Sequence, residues 1–168
     1  RWLELAPGSA YANHARGEYY RDLAWQSRGE NWASETPRDN MRRMSGFVEQ
    51  AIPYFRRAAD IKPDLMPAYA ALLDISTVDS RRGLAREAVE RAVKQDPACI
   101  EMARQRMRSA QPRWGGDYNE MLSIAAELSK HVAQRPELAI DTVAPFGARG
   151  DRRDAEKHNK IERVEILD

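Results

Sequence analysis

Residues 51–107 read AIPYFRRAADIKPDLMPAYAALLDISTVDSRRGLAREAVERAVKQDPACIEMARQRM, and their internal spacing decides the fold. Ala51, Phe55, Ala58, Pro63, Leu65 and Leu73 are followed 34 positions later by Ala85, Val89, Ala92, Pro97, Cys99 and Met107. A small–large–small pattern closed by proline, repeated at that length, marks one helix pair stacked on the next. The expected fold is therefore all-α, built from antiparallel helix pairs.

Upstream, Leu5 and Pro7 match Ile61 and Pro63, so residues 2–7 read as the end of a helix that began earlier. The chain is accordingly expected to be a fragment lacking its N-terminal part. Ser9 is the expected N-cap of a helix over about 9–28, with an apolar stripe through Ala12, Ala15, Tyr19 and Leu23. Ala12, Ala15 and Ala24 are small enough to admit a close neighbour. Gly29, Asn31 and Pro37 mark a loop. Pro7 and Pro63 are 56 residues apart rather than 34, so this segment holds an insertion. Insertions in repeat proteins fall on one face, often the binding face. Trp32, inside it, either caps the core or anchors a partner.

Thr36 and Pro37 suit N-cap and N1 of a helix over about 38–61, in which Pro53 is expected to force a kink or restart near 49–53. Asp64 is the expected cap of the next helix, about 65–77, with Leu65, Met66, Tyr69, Leu72, Leu73 and Ile75 inward. Ser76 to Ser80 read as a turn. A helix over 81–95 follows, then one over 98–110 after Asp96-Pro97. On the latter, Arg104 and Arg108 are four apart and share a face, while Arg106 points elsewhere. Asp117 and Glu120 have capping-box spacing and start a helix over 118–134. Pro136 starts a short one over about 136–144. The expected division is a helical-repeat domain over 1–144, then a linker and charged tail over 145–168. The tail, with sparse Ile161, Val164 and Leu167, reads either as a weakly docking helix or as partly disordered.

The formal net charge is +1, unevenly placed: −1 over residues 1–80, +5 over 81–113 and −3 over 114–168. The basic middle is either a set of solvated helix faces or a docking patch for an acidic partner. Nucleic acid is a poor match, because Trp114 is the one aromatic at the patch. No apolar run approaches the ~20 residues of a membrane span. Cys99 is the sole cysteine, at a small apolar position, which excludes a disulfide framework and favours a buried thiol and a cytoplasmic setting.

The residues call for no catalysis, cofactor or metal. His14, His131 and His158 lie on separate segments, and His14/Glu18 and Glu127/His131 are i, i+4 surface pairs. Gly115-Gly116 lacks the lysine of a phosphate loop, and no nucleophile elbow is present.

Two resemblances add to this. The helix pairs over about 40–110 resemble the tetratricopeptide class, without its usual Trp and Gly. That resemblance implies an α-α superhelix with a groove for peptides or protein surfaces. The run Ala-Gln-Pro-Arg-Trp-Gly-Gly, residues 110–116, with Tyr118 and Met121, resembles the Pro-Arg-Trp-Gly-Gly-Ser signature of a bacterial family called domain of unknown function 4034. Asp117 stands where that signature has Ser. The family supplies no catalytic residues to carry over. Trp114 either plugs the end of the helical stack or, with Arg113, belongs to a partner site.

The function these readings favour is a non-catalytic protein-binding scaffold or adaptor. Its candidate contact residues are Trp32, Arg104, Arg108, Arg113 and Trp114. A neutraliser (immunity protein) of a bacterial toxin is the alternative that polarised charge suits. An enzyme or small-molecule binder would use the Arg113/Trp114 corner.

Overall fold

The computed structural model describes residues 2–29 and 35–145. The chain is all-α, and the described residues contain no strand. It divides into two compact units, residues 1–102 and 103–168.

The first unit runs α1 (Trp2–Leu5), α2 (Ala10–Arg28), α3 (Arg38–Ile61), α4 (Met66–Val78), α5 (Arg82–Gln95) and the start of α6 (Ile100–Ser109). Three proline corners organise it, at Pro7, Pro63 and Pro97. Each has the same two backbone bonds. The residue before the proline donates to the carbonyl four back: Ala6 to Trp2, Lys62 to Ala58, Asp96 to Ala92, at 2.9, 3.0 and 2.9 Å. The residue two after it closes a tight turn: Ser9 to Ala6, Leu65 to Lys62, Cys99 to Asp96, at 3.0, 3.0 and 3.3 Å. Proline ends the first helix because it has no N–H to continue the ladder. The next helix starts three residues beyond each proline, at Ala10, Met66 and Ile100. At two corners a buried side chain six residues on satisfies the proline carbonyl: Asn13 Nδ2 to Pro7 O, 3.1 Å, and Tyr69 Oη to Pro63 O, 3.0 Å. Ala103, at the same offset from Pro97, has no side-chain donor.

The apolar core gathers α3, α4 and α5. Every residue of α4 from Ala68 to Ser76 is buried, as befits a helix apolar all round. From α3 come Met44, Val48, Ala51, Phe55 and Ala58; from α5, Leu84, Ala88 and Ala92. The 34-residue pattern is thus loose in α5: Ala92 is buried, but Ala85 and Val89 only pack against the core's edge. Cys99 is buried and free.

Polar bonds join α3 to α5 and to the turn that precedes it, in ascending order. Ser45 Oγ donates to Asp79 at 3.2 Å, Arg81 to Glu49 at 2.6 Å, Arg56 Nε to Glu87 at 3.2 Å and Arg91 to Asp60 at 2.7 Å. Partners that climb together mean that α3 and α5 run side by side in the same direction.

Several local expectations need correction. α3 runs unbroken from Arg38 to Ile61 through Pro53. Pro53 and Glu49, whose carbonyl loses its donor, both stand on the exposed side, and one-sided packing holds the helix together. Thr36 is not the cap; Pro37 is, without a side-chain bond. Asp64 does not cap α4 either, because Lys62 Nζ holds both its oxygens at 2.8 Å. Ser76 and Thr77 do not break α4: each hydroxyl donates back to Leu73 O at 2.8 Å, so the helix continues to Val78. On α2 the buried line is Ala10, Asn13, Gly17 and Ala24, with Ala12 beside it; Ala15 is exposed and Tyr19 is 51% exposed. The small residues face the neighbour because they allow the closest approach. Gly17 shows this best: a Cβ there would lie 2.6 Å from the Phe55 ring. Ser9 caps α2 as expected, accepting from Ala12 N at 3.2 Å.

The second unit holds the rest of α6, a 3-10 turn (Pro112–Trp114), α7 (Tyr118–Ser129), a second 3-10 turn (Pro136–Leu138) and helical residues 139–145. Met121, Ile124, Ala125 and Leu128 face inward on α7. Asp117 caps α7, accepting from Glu120 N at 2.9 Å. α7 ends at Ser129 rather than 134. Lys130 and His131 take tight i→i+3 bonds to Glu127 and Leu128, at 3.2 and 2.9 Å, and Pro136 disfavours helix at Arg135. The charged tail beyond 145 and its apolar trio lie outside the described residues.

Candidate functional site

The candidate site lies at the turn from α6 to α7. α6 sorts its three arginines by face. Arg104 and Arg108, one turn apart, are exposed; Arg106 is buried. The buried guanidinium meets Glu127 of α7 with both terminal nitrogens, at 3.1 and 2.6 Å. That bond is the first cause holding the Glu127 carboxyl below its ordinary range, against the opposing effect of burial.

After α6 the chain makes a corner. Gly115 N donates to Pro112 O at 3.0 Å, and Gly116 N to Gln111 O at 3.3 Å. Gly115 has φ +85°, open to glycine at little cost. Gly116 is needed for another reason: a Cβ there would sit 2.2 Å from the Ala110 carbonyl oxygen. The corner sets Trp114, half-buried, between two arginines. Arg108 Cζ lies 5.7 Å and Arg113 Cζ 5.9 Å from the Trp114 ring centre. Arg113 is anchored further, its Nε donating to Gln111 Oε1 at 2.8 Å.

Of the five residues singled out from the sequence, the structure brings Arg108, Arg113 and Trp114 together and places Arg104 on the same exposed face of α6 as Arg108. Trp32 lies outside the described residues. Among the described residues, Arg104, Arg108 and Arg113 make no ion pair with a carboxylate. The contrast is with Arg56, Arg81, Arg91 and Arg106, each closed on an acid.

Two groups escaped the sequence reading. The Arg106–Glu127 bond spans 21 residues and no helical spacing announces it. Asp141 is buried, with no hydrogen bond to Oδ2 among the described residues. Burial raises its pKa, opposed by the charge of Arg104. Its place in the pattern Leu138, Asp141, Pro145 was a possible signal, since the flanking residues are apolar. In the first unit, His14 Nδ1 and Glu18 Oε1 lie 3.6 Å apart on α2, and Arg21 joins Glu18 at 2.6 Å. Burial lowers the His14 pKa and raises that of Glu18. Among the described residues no three His, Cys, Asp or Glu converge as metal ligands, and no helix is long and apolar enough to cross a membrane.

The geometry defines an all-α protein of helix pairs turned at proline corners, with an arginine–tryptophan surface in its second unit. Residues 1–81 match the model of the family described as Domain of unknown function (DUF4034). The match covers just under half the chain and lies within the first unit; the Pro-Arg-Trp-Gly-Gly run is outside it. No curated protein and no solved structure matches the chain.

Proposed function

We propose that this protein is a non-catalytic scaffold that docks an acidic segment of a partner protein on Arg104, Arg108, Arg113 and Trp114. One observation carries the reading: Arg108 and Arg113, without a carboxylate ion pair among the described residues, are set at one tryptophan, with Arg104 on the same exposed face of α6 as Arg108, in a chain that closes many of its other arginines on acids. Uncompensated guanidinium groups steer an acidic surface and fix its register, and tryptophan and arginine are the residues on which interface energy concentrates. The tetratricopeptide-like stacking of helix pairs belongs to the same proposal. Three proline corners with matching hydrogen bonds and the parallel α3 and α5 support it. A cytoplasmic setting suits a single buried thiol.

The test uses the full chain and a fluorescein-labelled Glu/Asp-rich peptide, read by anisotropy at low and high salt. Binding is expected to weaken with salt and to fall about tenfold in the Arg108→Ala/Arg113→Ala variant. Equal binding by that variant, or no binding by either protein at low salt, would overturn the reading.

A further inference from the structure

The chemistry of the occupant can be narrowed, on the basis of the docking surface just described. We propose that the acidic segment is phosphorylated, and that a phosphoserine or phosphothreonine dianion sits against the free N–H edges of Arg108 and Arg113 beside Trp114.

The argument begins with how the two guanidinium groups are held. A guanidinium over an aromatic face keeps its in-plane N–H donors available, because the ring takes its face and not its edge. Arg108 Cζ and Arg113 Cζ both lie within contact range of one ring, at 5.7 and 5.9 Å from its centre. Arg113 is fixed a second time through Nε on Gln111, and that bond leaves its terminal nitrogens without a partner among the described residues. The corner that carries Arg113 and Trp114 is closely packed on α6, since Gly116 lies against the Ala110 carbonyl with no room for a side chain. The donors are therefore preorganised before any ligand arrives, which lowers the ordering cost of binding.

Charge then selects among anions. The nearby carboxylates have other roles: Glu127 is closed on Arg106, Asp117 caps α7, and Asp141 is buried. Arg108 and Arg113 place two guanidinium charges at one ring, with no carboxylate in ion-pair contact with either among the described residues. A phosphate monoester brings about −1.5 to −2 charge and three acceptor oxygens in one group, and matches the planar fork of arginine bidentately. Nucleic acid offers the same phosphate chemistry, but stacking platforms for successive bases need several aromatics, and among the described residues Trp114 is the one aromatic ring that Arg108 and Arg113 contact.

The experiment titrates the full chain with three labelled peptides of one acidic sequence that differ at one position: phosphoserine, glutamate or serine. The phosphoserine peptide is expected to bind at least about tenfold more tightly than the glutamate peptide. That advantage is expected to shrink in Arg113→Ala and in Arg108→Ala, and to be partly kept in Arg113→Lys, which retains charge without the fork. Far-UV circular dichroism of each variant separates lost binding from lost folding. Equal affinity for the phosphoserine and glutamate peptides would overturn this inference while leaving the docking surface standing. Failure of all three peptides to bind would remove both. A single-stranded oligonucleotide that binds as tightly as the phosphopeptide, with the same dependence on Arg108 and Arg113, would also overturn it.

Discussion

The guanidinium of Arg106 closes on both carboxylate oxygens of Glu127 across 21 residues, and so ties α6 to α7 behind the arginine–tryptophan surface. The Arg106 side chain is 10% exposed and that of Glu127 38%. Removing the acid strands a buried cation. In a fully buried pair that costs about 3–5 kcal/mol; water reaching Glu127 reduces it, so Glu127→Ala should lower stability by about 1–3 kcal/mol in urea unfolding. The pH sign follows from the lowered Glu127 pKa. Its contribution is complete above the ordinary carboxyl value of 4.5 and is lost as pH falls through the lower, folded value. Arg106→Met should flatten that part of the stability profile.

Asp141 carries the opposite sign. Burial raises its pKa, so its contribution to stability is complete below the ordinary 3.8 and declines as pH rises through the folded value. Asp141→Asn removes the buried charge and should stabilise the protein at pH 7 by about 1 kcal/mol, with the gain vanishing near pH 4. Urea midpoints at the two pH values read this directly, and a variant less stable at pH 7 would contradict it.

Gly17→Ala sets two effects against each other. Alanine favours helix over glycine by about 1 kcal/mol. Overpacking costs about 1–3 kcal/mol, and the Phe55 ring, fully buried, has no room to withdraw from a Cβ at 2.6 Å. The net result should be a loss of up to about 2 kcal/mol. Combining Gly17→Ala with Phe55→Leu should recover part of it, as a non-additive double-mutant cycle.

The two glycines of the corner should rank differently. Gly115→Ala costs about 1–2 kcal/mol, the penalty of a left-handed backbone for an L side chain. Gly116→Ala should cost about 3 kcal/mol or more, because its obstacle is a backbone carbonyl that has no rotamer to adopt. Thermal unfolding of the two variants side by side checks the order.

Arg108→Ala/Arg113→Ala should cost little stability, about 0.5–1 kcal/mol for each exposed cation–π contact removed. An unchanged circular dichroism spectrum with a melting temperature only a few degrees lower is the expected result. A collapse of the fold would show that the two arginines brace Trp114 structurally instead.

Much of this architecture was legible locally. Proline corners at residues 7, 63 and 97, the Ser9 and Asp117 caps, and the placing of Arg104 and Arg108 on one face of α6 with Arg106 on another all follow from backbone rules and helical spacing. The misses share one cause. Pro53, Asp64, Ser76 and Tyr19 have local preferences that neighbours override: one-sided packing carries α3 through Pro53, Lys62 takes Asp64, the Leu73 carbonyl takes the Ser76 hydroxyl, and Gly17 lets α2 approach Phe55 so that Ala12 and Ala24 are buried as expected while Ala15 and Tyr19 turn outward.

The order of amino acids settles that the chain is all-α, where most of its helices turn, and that Arg104 and Arg108 share one face of α6, because each of these depends on a few neighbouring residues of backbone. Only the tertiary structure decided which charges are neutralised. Arg106 finds Glu127, Arg91 finds Asp60 and Asp141 finds no hydrogen-bond donor for Oδ2 among the described residues, since these outcomes depend on helices brought side by side from distant parts of the chain. The arginine–tryptophan surface needs both: helical spacing puts Arg104 and Arg108 on one face, and the folded corner brings Trp114, with Arg113, back to Arg108.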